Sequence, residues 1–273
     1  MKILIATDME GITGVTTWDQ VTPGHAEYAR FRKLMTQDVN AAIRGAIEAG
    51  ADEVIVADGH WNGSNILIEE LDPRARLNSG SPSPFSMMQG IDETVDGVFF
   101  VGYHARNGSP NAILDHTWSS KTVANVWLND ILTGEYGLNA AVAGHFGAPV
   151  IMASGDQTAC SQIVELLGDL ETAVVKQAVG RFAAECLPPA VTQELIAEAA
   201  SRAVTRLLEG DVPDPFVLDM PLRVTVEFFT SDMADRASRI PFTQREGTRV
   251  SLVAEEMASA YNGFRALVML ASG

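Results

Sequence analysis

The stretch KILIATDMEG, Lys2 to Gly11, decides how the fold is read. Lys2 to Thr7 has the apolar, partly β-branched character of a buried strand, and an acidic pair follows directly. On extended backbone, residues two apart share a face, so Asp8 and Glu10 point the same way while Met9 points away. One cation could reach both carboxylates. A lone D-x-E is equally a strand end followed by a turn, so neighbouring segments must decide.

The same arrangement recurs downstream. An amphipathic stretch from about His25 to Ala49 predicts a helix closed by Gly50. EVIVA, 53–57, predicts a second strand that ends in Asp58-Gly59-His60, and DGVFFVGY, 96–103, predicts another that ends in His104. Between them, Ile66 to Leu71 reads as a short helix stopped before Pro73, and Ala75 to Asn78 as an edge strand. Strands separated by helices imply an α/β fold with a mostly parallel sheet flanked by helices.

TVANVWL, 122–128, and Ile131-Leu132 flank Asn129-Asp130, a pair suited to a tight hairpin turn that would cross the face near the site. Glu135 opens a helix to about Phe146, PVIMA at 149–153 is a buried strand, and Asp156 caps the helix carrying Cys160. Thr172 to Lys176 is the last strand of this part. Pro188-Pro189 breaks the chain, a helix follows from about Thr192 to Leu208, and Pro213 and Pro215 break it again. Leu222 to Phe229 alternates as a half-buried strand. With a strand at Thr248 to Ala254 and a final helix from Glu255, it predicts a smaller carboxy-terminal α+β unit. These prolines divide the chain into a catalytic unit at 1–187 and a smaller one at 188–273.

Composition limits the function. The 47% hydrophobic content fills a core, and 35 acidic against 19 basic residues give a net charge of −16, which repels a nucleic-acid backbone. Two cysteines, Cys160 and Cys186, are too few for a disulfide framework or a thiolate zinc cluster, and point to a reducing compartment. The apolar run Ile3 to Ala6 is too brief for a signal sequence, and no segment reaches the roughly 18 apolar residues of a membrane span. A cytoplasmic protein is expected, with neither membrane nor nucleic acid as partner.

Asp8, Glu10, His60, His104 and Glu135 each fall at the tip of a predicted element. Singly, His60 and His104 could be ordinary loop residues, and Glu135 could serve only the positive end of its helix. Jointly, imidazole and carboxylate donors without thiolate suit zinc, manganese or cobalt. Five protein ligands exceed the three of a catalytic zinc site, so two metals bridged by a carboxylate, with Asp8 in that role, account for them. Asp58 is the expected partner for the other ring nitrogen of His60. Asp115 and His116, in AILDHTW, read either as a surface loop or as base and acid near the strand ends. His145 and His25 read as helix-end and helix-start residues.

TDMEGITGV at 7–15, ADGH at 57–60, GYHAR at 102–106 and GEYGLNAAVAG at 134–144 together resemble the D-aminopeptidases of the Bacillus dipeptide-operon type, peptidase family M55. SGDQ at 154–157 and VKQAVGR at 175–181 extend the resemblance to about residue 190, and it continues more loosely to the end. It implies two zinc ions per subunit on Asp8, Glu10, His60, His104 and Glu135. It also implies cleavage of short peptides bearing D-residues and assembly into a ring-shaped homodecamer. One departure stands out: the resemblance implies a cysteine before the histidine that matches His116, and this chain has Asp115 there. That removes a thiolate mechanism and leaves attack by a metal-activated water, with Asp115 or a ligand carboxylate as proton acceptor. A dimetal hydrolase of another substrate class, phosphoester or amide, and a non-catalytic peptide-binding protein are the alternatives.

Overall fold

The computed structural model describes residues 1–273. The chain runs through β1 (Lys2–Thr7), a one-turn helix α1 (Trp18–Val21), the long helix α2 (Tyr28–Glu48), β2 (Glu53–Asp58), β3 (Ala75–Asn78) and β4 (Gly97–Tyr103). It continues through β5 (Val123–Leu128), β6 (Ile131–Thr133), α3 (Glu135–His145), β7 (Val150–Asp156), α4 (Gln157–Leu167), β8 (Glu171–Gly180), β9 (Ala183–Cys186) and α5 (Pro189–Glu209). β10 (Leu222–Phe228), α6 (Ser231–Ala237), β11 (Gln244–Glu246), β12 (Arg249–Ala254) and α7 (Met257–Ala271) complete it.

Seven strands form one sheet in the order β3-β2-β1-β4-β7-β8-β9, parallel except for the edge strand β9. The chain winds outward from β1 to β3, then returns to the opposite side of β1 as β4. Such a reversal leaves a crevice beyond the carboxyl ends of the two strands, where open α/β sheets bind ligands. β1 is buried on both faces because its neighbours cover both. Ile3 and Ile5 pack among residues of α2 and α5, including Val39, Ile43, Ile196 and Ala200. Leu4 and Ala6 pack toward α3, α7 and the second sheet, with Leu138, Val142, Phe264 and Val226 in the same core.

The second sheet is antiparallel, in the order β11-β12-β10-β5-β6. Its β5–β6 hairpin turns at Asn129 and Asp130, as expected, with Asn129 at φ +52. The hairpin joins β10 rather than lying alone across the parallel sheet. Strands from both sides of residue 187 therefore share this sheet, while α5, which follows residue 187, packs on α2 and β8 of the first.

Several local expectations differ from the structure. Residues 66–71 form turns rather than a helix, held by the Ile66 amide donating to the Asp58 carboxylate and the Leu67 amide donating to the Thr36 hydroxyl oxygen. Pro188 and Pro189 open α5 instead of breaking the chain. Proline at the first helical position loses only an amide that a helix leaves unpaired anyway. β8 runs on to Gly180 and turns into β9, which the sequence pattern did not reveal.

Candidate metal centre

Each side chain arrives at the crevice by a local route. Asp8 and Glu10 leave β1 in a turn that packs against the end of β4. A Cβ on Gly11 would lie 2.0 Å from the Tyr103 carbonyl oxygen, and one on Gly102, at φ +75, would lie 2.4 Å from that of Asp8. Only glycine permits this approach, and the approach brings Asp8 to His104. His60 follows β2, His104 follows β4, and Glu135 begins α3 after the N-cap Gly134.

The five side chains meet, and all are buried. Asp8 is central: its Oδ1 lies 3.1 Å from His60 Nδ1 and its Oδ2 lies 3.3 Å from His104 Nε2. Glu10 Oε2 is 3.1 Å from His60 Nδ1, and Glu135 Oε1 is 3.1 Å from His104 Nε2. His116 closes the group. Its Nε2 is 3.6 Å from Glu135 Oε1 and 3.9 Å from Glu10 Oε1, and its ring stacks on His104 with centroids 4.0 Å apart. The edge of Trp18 packs on His116 from the other side.

The outer nitrogen of every imidazole is committed to a main-chain carbonyl. His60 Nε2 lies 2.7 Å from Val21 O, His104 Nδ1 3.0 Å from Ala105 O, and His116 Nδ1 2.8 Å from Leu114 O. A carbonyl only accepts, so in the neutral ring that nitrogen carries the proton and the nitrogen facing the cluster carries the lone pair. Lone pairs and carboxylate oxygens then confront one another at 3.1–3.3 Å. Something positive has to lie between them. Consistent with this, buried Glu10 Oε2 and His104 Nε2 have no hydrogen-bond partner.

Protons can fill that role in part. Burial disfavours a charged His60, but the Glu10 charge and the hydrogen bond and charge of Asp8 outweigh it and raise His60 well above the ordinary imidazole value. His104 is raised likewise: burial opposes it, while Glu135 and Asp8 prevail. Burial would lift Asp8, yet His104 and His60 hold it well below the usual carboxylate range. His116 behaves oppositely, lowered by burial and by the neighbouring His104 charge. A metal cation binds such ligands in place of their protons. Two sets of donors have atoms within 4.8 Å of one another, namely Asp8, Glu10 and His104, and His104, His116 and Glu135.

Three details depart from expectation. Asp58 does not orient His60; its carboxylate accepts from the Asn65 and Ile66 amides, and Val21 O fulfils the orienting role. A main-chain carbonyl on the one-turn helix α1 leaves no mark in the sequence. Asp115 is buried but is not among the side chains that meet. Its Oδ1 lies 3.3 Å from Arg181 Nε, and its Oδ2 accepts from the Gly108 amide at 2.7 Å. Lys176, also buried, was missed, although a single cation inside TAVVKQAV was a visible signal. His25, half-exposed beside Asp19, and His145, at the end of α3, lie elsewhere.

A switch-point crevice lined by histidines and carboxylates defines an α/β metallohydrolase. The model of the D-aminopeptidase family, peptidase family M55, matches residues 1–266, and the chain belongs to that family. It is 37% identical over 274 residues to a D-aminopeptidase of Bacillus subtilis strain 168, covering 99% of this chain and 98% of the relative. It also superposes with TM-score 0.96 on the zinc-dependent D-aminopeptidase DppA from Bacillus subtilis, described as a self-compartmentalizing protease. That match has 36% identity and covers 100% of this chain and 98% of the other.

Proposed function

We propose that the protein is a zinc-dependent aminopeptidase that removes an N-terminal D-residue from short peptides at a dinuclear centre. The observation that carries this reading is the confrontation of imidazole lone pairs with carboxylate oxygens on both sides of Asp8. Asp8 faces His60 with one oxygen and His104 with the other, which suits a carboxylate shared by two ions. Glu10 and His60 would complete one position, Glu135 and His104 the second. Zinc, when bound there, lowers the pKa of a water and polarises the scissile carbonyl.

The chain's own groups supply the rest. With Nδ1 committed to Leu114 O, His116 has Nε2 free to take the proton that the attacking water gives up. That atom faces the cluster, so the proton taken there can be returned to the leaving amine. Asp115 is assigned to holding the His116 loop, because Arg181 and Gly108 already occupy its oxygens. The likeness to D-aminopeptidases over the whole chain favours an amide over a phosphoester substrate. Assembly into a homodecamer belongs to the same reading, supported by the likeness to a self-compartmentalizing protease over the whole chain. So does a cytoplasmic location, supported by the unpaired Cys160 and Cys186.

The test is hydrolysis of D-Ala-D-Ala and L-Ala-L-Ala before zinc removal, after it, and after zinc is restored. Cleavage of the D-dipeptide that disappears and returns with zinc is the expected result. Preference for the L-dipeptide would refute the stereochemical assignment, and zinc binding without cleavage of either would move the substrate to another class.

A further inference from the structure

β8 gives no side chain to the cluster, yet the loops that carry Glu10 and His116 are both tied to cations, one within β8 and one directly after it. Lys176 is 1% exposed, and its Nζ donates to the carbonyl oxygens of Glu10 at 2.7 Å, Ile12 at 2.9 Å and Val15 at 2.9 Å. An ammonium has three donors, and one loop takes all of them. From the other side, Asp38 of α2 accepts from the Thr13 amide and hydroxyl in the same loop. Residues 10–15 are therefore fixed through their main chain, independent of any group bound at the cluster.

Arg181, directly after β8, grips the second loop. Its carbonyl accepts from the Leu114 amide at 2.9 Å, its Nη2 donates to Asp115 O at 2.9 Å, and its Nε faces Asp115 Oδ1. His116 takes its ring orientation from Leu114 O, the carbonyl of the residue whose amide Arg181 holds. Leu114 sits at φ +50 and Trp118 at φ +62, left-handed conformations that side-chain-bearing residues keep only when their surroundings impose them. Arg181 is part of what imposes them.

We propose that β8 is the positioning strand of the site: Lys176 sets the Glu10 loop for metal binding, and Arg181 sets His116 for proton transfer. Neither residue touches the reacting atoms. The inference rests on the roles given above to Glu10 and His116. It separates two effects that a merely structural role would leave joined, since Lys176 acts on metal affinity and Arg181 on turnover.

Lys176→Met, Arg181→Met and, as a remote control, Val204→Ala in the core between α5 and the sheet would be compared with the parent for zinc affinity, kcat, KM and Tm. Arg181→Met is expected to keep zinc affinity and KM while kcat falls about 10-fold or more, as for a misaligned proton carrier. Lys176→Met is expected to bind zinc about 10- to 100-fold more weakly, the range seen when support of metal ligands is lost. Val204→Ala should lower Tm and leave both unchanged. Should Lys176→Met not fold, Lys176→Gln, which retains donors for part of the loop, should show a smaller loss of affinity. Unchanged kcat in Arg181→Met, unchanged affinity in the Lys176 variants, or losses that merely follow Tm as in Val204→Ala would overturn the proposal. An activity-free readout separates this from failure of the functional reading. In histidine-labelled, zinc-free protein, Arg181→Met should alter the ring nitrogen signals of His116 and spare those of His60, whether or not the parent cleaves peptides; an unaltered His116 signal would refute the Arg181 assignment.

Discussion

Along β10, Leu222, Val224, Val226 and Phe228 turn inward and are buried, while Arg223 faces solvent and Glu227 is matched by Arg249 and Asn125. Beyond the ends of β1, β2 and β4, the chain instead buries Asp8, Glu10, His60 and His104 together and leaves atoms of Glu10 and His104 without a hydrogen bond. Both regions belong to one molecule, and β10 shows that this chain can satisfy polarity locally. Burying an unmatched ionised group costs several kcal/mol, so the cluster is suited to a positive partner. The antiparallel sheet supports the site from behind. Trp118, whose amide donates to Glu135 Oε1, seats its ring against Tyr261 and Phe264 of α7.

This contrast breaks most visibly at the cluster itself. His104→Ala removes the imidazole that lies between Asp8 and Glu135 and should abolish dipeptide hydrolysis, while circular dichroism stays that of the parent; full activity would end the assignment. His116→Ala should lower kcat by about 10²–10⁴-fold, the usual worth of a positioned proton carrier, with zinc still bound. Loss of zinc along with activity would make His116 a ligand instead.

In the second sheet the signs reverse. Leu222→Ala should cost about 2–5 kcal/mol in denaturant unfolding, as expected for a large-to-small core change, while kcat stays within about twofold. A comparable loss of kcat would show that the two regions are not separable. The smallest effect comes from Asp38, which burial pushes up to about 6. As pH falls, the folded chain takes up this proton before the unfolded chain does. Its contribution is thus complete below the ordinary value of 3.8 and is lost as pH rises through about 6. The difference corresponds to about 3 kcal/mol at most. Asp38→Asn should erase that pH dependence, and a stability difference from the parent that stays flat across the window would contradict it.

The parallel core and the tips of its strands were legible because apolar runs ending in Asp, His or Glu are local patterns. Asp8, Glu10, His60, His104 and Glu135 could be picked out without coordinates for that reason. The remainder depends on contacts between distant segments. The Val21 carbonyl that orients His60 is a main-chain atom with no residue preference, and the hold of Lys176 on three carbonyls joins residues more than 160 apart. The contacts of Asp115 were hidden for the same reason: its partner Arg181 lies 66 residues further on. Pro188-Pro189 signalled a helix start as readily as a break, and only the packing of α5 on α2 decides between them.

Carboxylates and pre-set imidazoles around Asp8 are proposed above to form a two-ion site. Zinc binding to the metal-stripped chain, followed by competition with a chelator of known affinity, tests it directly. Two zinc ions per chain are expected, with one lost in His60→Ala and the other in His104→Ala. A parent chain that binds no zinc, or variants that bind as many ions as the parent, would contradict it.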